Sequence, residues 1–194
     1  ESSVKSYGLP KVLVGVDAYL VISGNANNAT TRGTQIVKLN NGGIVPRWGA
    51  NGFVELLKDD ITRDFVKFGT ETQIPVTAEK WKNAAVKAML SSDSDRGKSI
   101  VRPYPRTTDT NTGSAADWVA VDWATPGGRN DVPAGAEDAD ADGIPDASET
   151  LGGSFAGLDL YAMGARTGQK DIFVEVDHMQ STDPGVIPRE ESLR

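Results

Sequence analysis

The stretch Asp138-Ala-Asp140-Ala-Asp142-Gly143-Ile144-Pro145-Asp146-Ala-Ser-Glu149 constrains this chain more than any other. It brings five carboxylates into one short loop, where without a cation they repel one another. The spacing meets every fixed position of the pattern D-x-[DN]-x-[DN]-G-x5-E, a loop that wraps a calcium ion. Ca2+ is a hard cation that takes about six to eight oxygens, so it needs closely spaced carboxylates. Asp138, Asp140 and Asp142 are each expected to turn one oxygen inward, and the carbonyl of Ile144 adds another. Asp146 acts directly or through water, and Glu149 closes the shell with both its oxygens. Gly143 marks the sharp turn, where a Cβ would obstruct the chain. A solvated acidic loop, with Glu137 just outside it, is the plainer alternative. The full match of the pattern favours calcium.

The flanks of this loop are unlike those of a paired EF-hand. Arg129-Asn-Asp-Val-Pro133-Ala-Gly135-Ala is too rich in Pro and Gly for an entering helix. Pro145, at the eighth position, has no N–H to give to a partner loop. The sequence holds no second copy, so the loop is expected to stand alone. The run Asp138 to Glu149 resembles the type 3 thrombospondin repeat as it occurs in secreted bacterial proteins. That resemblance implies a rigid calcium staple between domains.

At 194 residues the chain can hold one good core or two small domains. Its apolar fraction of 38% and charged fraction of 24% are those of a globular protein rather than a disordered one. A net charge of −7 disfavours nucleic acid and anionic membranes as partners. There is no cysteine, which excludes disulfides, thiolate zinc and cysteine nucleophiles. No apolar run approaches the length of a membrane span, so no membrane insertion is expected. Calcium loops of the weaker, extracellular kind fit a compartment with millimolar Ca2+, and a secreted or cell-surface location is the expectation.

The chain opens β-rich. Lys11 to Ser23 reads as a long strand, with Val12, Val14, Val16, Ala18, Leu20 and Ile22 on one face at period two. Thr34 to Leu39 reads as a second strand, and Asn40-Asn-Gly-Gly43 before Ile44-Val45 as a hairpin turn. The period then changes. Phe53, Leu56, Leu57, Asp60, Ile61 and Asp64 predict a helix, with Asn51 as N-cap and Gly69 as stop, although Phe65 to Phe68 reads equally as strand. Thr77 is expected to cap a helix over Ala78–Leu90, where Trp81, Ala84, Ala85, Ala88 and Met89 form a core-facing stripe.

Ser92 to Gly97 reads as a solvated turn, and Arg102-Pro-Tyr-Pro-Arg106 as extended backbone. Ala116 to Trp123 alternates as a strand, with Trp118 and Trp123 better suited to core packing than to stacking on sugars. Beyond the calcium loop, Lys170-Asp-Ile-Phe-Val-Glu-Val-Asp-His-Met179 predicts a buried strand. It would carry Glu175 and Asp177 on one side and His178 on the other.

The loop, then Leu158-Asp-Leu-Tyr-Ala-Met-Gly-Ala165, then Lys170 to Met179, together resemble a segment of secreted bacterial metalloprotease-like proteins. The resemblance covers about residues 138–194. It implies that Lys170 to Met179 opens a metzincin-like zinc peptidase domain, with an H-E-x-x-H helix well downstream. This chain departs from that family where the chemistry lies. Its one histidine, His178, cannot supply the roughly three ligands of a catalytic zinc, so no catalytic residue is assigned.

The expected fold class is α+β. A β-rich N-terminal domain with one or two helices (1–135) leads to the solitary calcium loop and linker (136–157). The first strand of a second α/β domain follows (158–194). The expected function is the calcium-stabilised N-terminal part of a metalloprotease-like protein, with Zn2+ only in a C-terminal catalytic part. Its partners would be that C-terminal fragment or neighbouring subunits. The alternative is a non-enzymatic extracellular calcium-binding module of the adhesin, surface-layer or fibre-forming kind. A third reading, carbohydrate binding through Trp118 or Trp123, is the weakest.

Overall fold

The computed structural model describes residues 4, 6–9, 18–23, 29–31, 34–39, 50–82, 84–87, 98–105, 113–174 and 182. The strands among them are β1 (Leu20–Ser23), β2 (Ala29–Thr31), β3 (Thr34–Lys38), β4 (Gly52–Lys58), β5 (Ile61–Phe68), β6 (Ser99–Val101) and β7 (Val119–Val121). They form three small sheets. In the first, β3 lies centrally, parallel to β1 and antiparallel to β2. The other two are the antiparallel pairs β4–β5 and β6–β7. The β-rich character read from the sequence is thus present. The hairpin turn at 40–45 and residues 11–17 lie outside the described residues.

The two helices are not there. Among the described residues the helical segments are single 3₁₀ turns at Ala78–Lys80, Ala115–Asp117 and Asp146–Ser148. The segment expected as a helix from Asn51 is the β4–β5 hairpin. Its turn residues, Asp59 and Asp60, both take the left-handed conformation (φ +55° and +57°), which matches the twist of a two-residue hairpin loop. Asn51 does not cap a helix. Its Oδ1 accepts the N–H of Thr70 (2.7 Å) and its hydroxyl (2.9 Å), closing the base of the hairpin.

Thr77 fails as a helix cap because its hydroxyl is already engaged. It accepts the N–H of Thr62 (3.0 Å), while the Thr62 hydroxyl accepts the N–H of Thr77 (2.8 Å) and donates to Glu55 (2.6 Å). With its N-terminus tied to β5, the chain turns once and becomes extended at Trp81. Lys82 then bridges to Ser114 and Val86 to Phe68. Residues 88–90 of that expected helix lie outside the described residues.

The core sits behind the long hairpin. Phe65, Phe68, Trp81 and Val86 are buried together, and Phe53, Val66, Ile100, Ala115 and Trp118 pack against them. The Phe65 and Trp81 rings meet edge to face at 5.5 Å, and Phe53 stacks on Phe65 at 5.8 Å. Burying a side chain of this size contributes about 1.5–3 kcal/mol. Trp81 is therefore a core residue, and Trp118, half-buried, packs against the core rather than standing free on the surface. The strand expected over 116–123 is shorter. Ser114 and Asp117 cap a 3₁₀ turn first, through Ser114 N–H to Asp117 Oδ2 (3.2 Å), and β7 follows.

Arg102 connects this core to the next segment. Its guanidinium pairs with Asp64 and covers one face of the Trp118 ring at 4.5 Å, while its carbonyl accepts from Asn130 (3.0 Å). Among the described residues no helix is long and apolar enough to cross a membrane.

Candidate metal centre

From Asp131 to Val174 the chain is built from turns, held by side chains rather than ladders. The Asp131 carboxylate accepts from the Ser154 hydroxyl (2.6 Å) and from the N–H groups of Ala156 and Gly157 (2.8 Å each). It thereby fixes a two-residue turn in which Ala156 and Gly157 are both left-handed and Phe155 and Leu158 exchange backbone bonds. Gly153 approaches the Ala147 carbonyl so closely that a Cβ would lie 2.0 Å from its oxygen. The Ser148 hydroxyl donates to the Ser154 carbonyl (2.9 Å). These contacts anchor the exit of the acidic loop. Val132, Pro145, Ser148, Leu160 and Ala165 are buried along the same stretch.

Within the loop, Asp138 is the internal brace. Its Oδ1 accepts from Ala141 (2.8 Å) and Asp142 (3.3 Å), and its Oδ2 from Gly143 (3.0 Å). Asp142 Oδ1 accepts from the N–H of Ile144 (2.7 Å), which places Ile144 inside the turn. Asp146 Oδ1 accepts from Ala139 (2.9 Å). Gly143 is left-handed (φ +98°), but no atom lies within 4 Å of where its Cβ would be. Its requirement is conformational, and the expected obstruction is absent.

Two groups of carboxylates converge. Asp138, Asp140 and Asp142 each bring one oxygen within 4.8 Å of the others, and so do Asp142, Glu149 and Asp171. Asp146 belongs to neither group. Glu149 is 1% exposed, and among the described residues neither of its carboxylate oxygens has a hydrogen-bond partner. Asp140 is half-buried as a residue, with both its carboxylate oxygens shielded from solvent between Asp138 and Asp142. For Glu149, buried as a whole residue, a charged carboxylate with no partner is unfavourable unless a proton or cation neutralises it.

The electrostatics say the same. Burial, and then the neighbouring carboxylates of Asp142, Asp140, Asp171 and Asp146, push the Glu149 carboxyl up to about 7. Burial and the Asp142 charge push Asp140 up as well. At the edge of the loop, Lys170 gives its Nζ to the Ala141 carbonyl (3.1 Å).

Sequence reasoning missed Asp171. It stands 22 residues beyond Glu149, outside the loop pattern, and reaches the cluster through the turns at 155–158 and 166–169. Its N–H donates to Asp142 Oδ2 at 2.6 Å. Over its described residues, 170–174, the strand expected from Lys170 is not formed. The Asp171 amide is used by the loop, Lys170–Val174 joins no ladder, and Ile172 and Val174 are exposed. Glu175, Asp177 and His178 lie outside the described residues. The one sequence signal for Asp171 was an acid at the head of an apolar run. No family model, curated protein or solved structure matches the chain.

Proposed function

We propose that this chain is a calcium-stabilised structural module in which Asp138–Glu149 binds one cation and rigidifies the turn-built region after the core. The observation that carries the reading is Glu149, an unpartnered carboxylate buried against other carboxylates. Carboxylate oxygens without thiolate or imidazole partners suit a hard cation such as Ca2+. Asp138, Asp140, Asp142, the Ile144 carbonyl, Asp146 and Glu149 are the ligands proposed from the loop pattern. A compartment with millimolar calcium, outside the cell, suits a site of this type.

The test is thermal melting of the full chain in EDTA, then with calcium or magnesium restored. Calcium should raise the midpoint, and magnesium, which demands tight octahedral geometry, should do so less. Equal melting under all three conditions would reduce the loop to an acidic turn.

A second reading adds to this one: the module is the N-terminal part of a metalloprotease-like protein whose zinc site lies in residues not in this sequence. It is carried by the sequence resemblance over about residues 138–194, although Lys170–Val174, the start of the strand expected to open the peptidase domain, joins no ladder. Intact mass and metal content of the source protein decide it. A larger species with both calcium and zinc supports the peptidase, and a species of this chain's mass with calcium alone opposes it.

A further inference from the structure

We propose that Asp171 is a ligand of the loop's calcium ion, and that the ion is the clasp fastening residues 166–174 to the loop. This inference rests on the calcium reading above. Glu149 is the observation that points from the cluster to a ligand: it is 1% exposed, both its oxygens lack partners among the described residues, and an oxygen of Asp171 lies within 4.8 Å of its own. Two oxygens bound to one Ca2+ at about 2.4 Å each can be no more than about 4.8 Å apart. Asp142, Glu149 and Asp171 meet that limit together.

The Asp171 carboxylate is held in place by its own segment. Its Oδ2 accepts from the Arg166 N–H (2.9 Å) and its Oδ1 from Gln169 Nε2 (3.1 Å). Each carboxylate oxygen has a second lone pair, which leaves both able to ligate. Among the described residues, the hydrogen bonds from Asp171 N–H to Asp142 and from Lys170 Nζ to Ala141 hold this segment to the loop against the mutual repulsion of three carboxylates. With a cation between them the same three charges attract. Calcium therefore strengthens the docking of Lys170–Val174 on the loop beyond what these hydrogen bonds provide.

The experiment uses the full chain stripped with EDTA, with Ca2+ and Tb3+ as probes. Asp171→Asn should weaken calcium binding at least about tenfold by calorimetry. It should add about one water to bound Tb3+ in luminescence lifetimes, since a lost ligand is replaced by solvent. Calcium should slow trypsin cleavage after Arg166 and Lys170 in the unmodified chain and not in this variant. Asp159→Asn, at a carboxylate outside the cluster that accepts the Ala162 N–H (2.9 Å), should leave all three readings unchanged.

A folded Asp171→Asn with unaltered affinity and hydration overturns the proposal and leaves the loop site standing. Absence of calcium uptake by the unmodified chain removes the underlying reading instead. If Asp171→Asn does not fold, the side-chain carboxyl 13C resonance of Asp171 in the unmodified chain decides. A shift on calcium addition supports ligation, and an unmoved resonance overturns it.

Discussion

The amide of Asp171 donates to the carboxylate of Asp142 at 2.6 Å, joining two residues 29 positions apart in the chain. Asp142 is also the one residue common to both carboxylate groups. Its removal should therefore do more than remove a ligand. Calcium at about 1,000 times its dissociation constant adds about 4 kcal/mol of stability, and Asp142→Ala should forfeit that gain. At roughly 2–4 °C per kcal/mol for a chain of this size, the melting midpoint in calcium should fall by roughly 10 °C. Calorimetric melts of both chains, with and without EDTA, read this directly. A variant that still gains the full calcium shift would exclude Asp142 from the site.

Stability of the ion-free protein should fall as pH rises. Burial and the surrounding Asp142, Asp140, Asp171 and Asp146 carboxylates raise the Glu149 carboxyl from 4.5 to about 7 in the folded chain. The folded state then binds a proton that the unfolded state has released, so the protonated form contributes stability fully below pH 4.5. That contribution is lost as pH climbs through about 7. Calcium should oppose the trend, because it replaces the proton. Melts in EDTA across this range should show the decline, and Glu149→Gln should flatten it. A flat profile for the unmodified chain would contradict the burial of Glu149 as a carboxylate.

How far the sequence reveals this site depends on distance along the chain. The loop was legible because its carboxylates recur at short, fixed intervals around Gly143. Asp171 was not, since its approach depends on the Ala156-Gly157 and Thr167-Gly168 turns, which fold back without any periodic signal. The same contrast holds in the core. Trp81 was recognisable as buried, but its helix was not formed, because Thr62 competes for the Thr77 hydroxyl from 15 residues away. The end of β5 was legible, since Phe65 to Phe68 reads equally as strand, but the rest of the β4–β5 hairpin was not, because Phe53, Leu56, Leu57 and Ile61 satisfy helical spacing and Asp59-Asp60 is an unusual pair for a tight turn.

That turn is open to improvement. Asp59 and Asp60 both carry the cost of a left-handed backbone, which glycine does not. Replacing the pair by asparagine and glycine, as Asp59→Asn with Asp60→Gly, should stabilise the chain by about 0.5–1 kcal/mol. Denaturant titration should show a higher midpoint with an unchanged slope. A lower midpoint would mean that these carboxylates make contacts worth more than the backbone cost.

The aromatic core should be far less tolerant. Phe65 is 2% exposed and touches both Phe53 and Trp81. Phe65→Ala should cost about 3–5 kcal/mol, the usual range for a buried phenylalanine. A loss below about 1 kcal/mol in denaturant titration would be inconsistent with the hairpin packing on Trp81.

Calcium binding itself is the claim on which the rest depends, and equilibrium dialysis of the EDTA-stripped full chain against labelled calcium tests it most directly. The expected result is saturable uptake of calcium by the unmodified chain at or below millimolar concentration, lost in Glu149→Gln. No uptake at millimolar calcium, or equal uptake by Glu149→Gln, would contradict it.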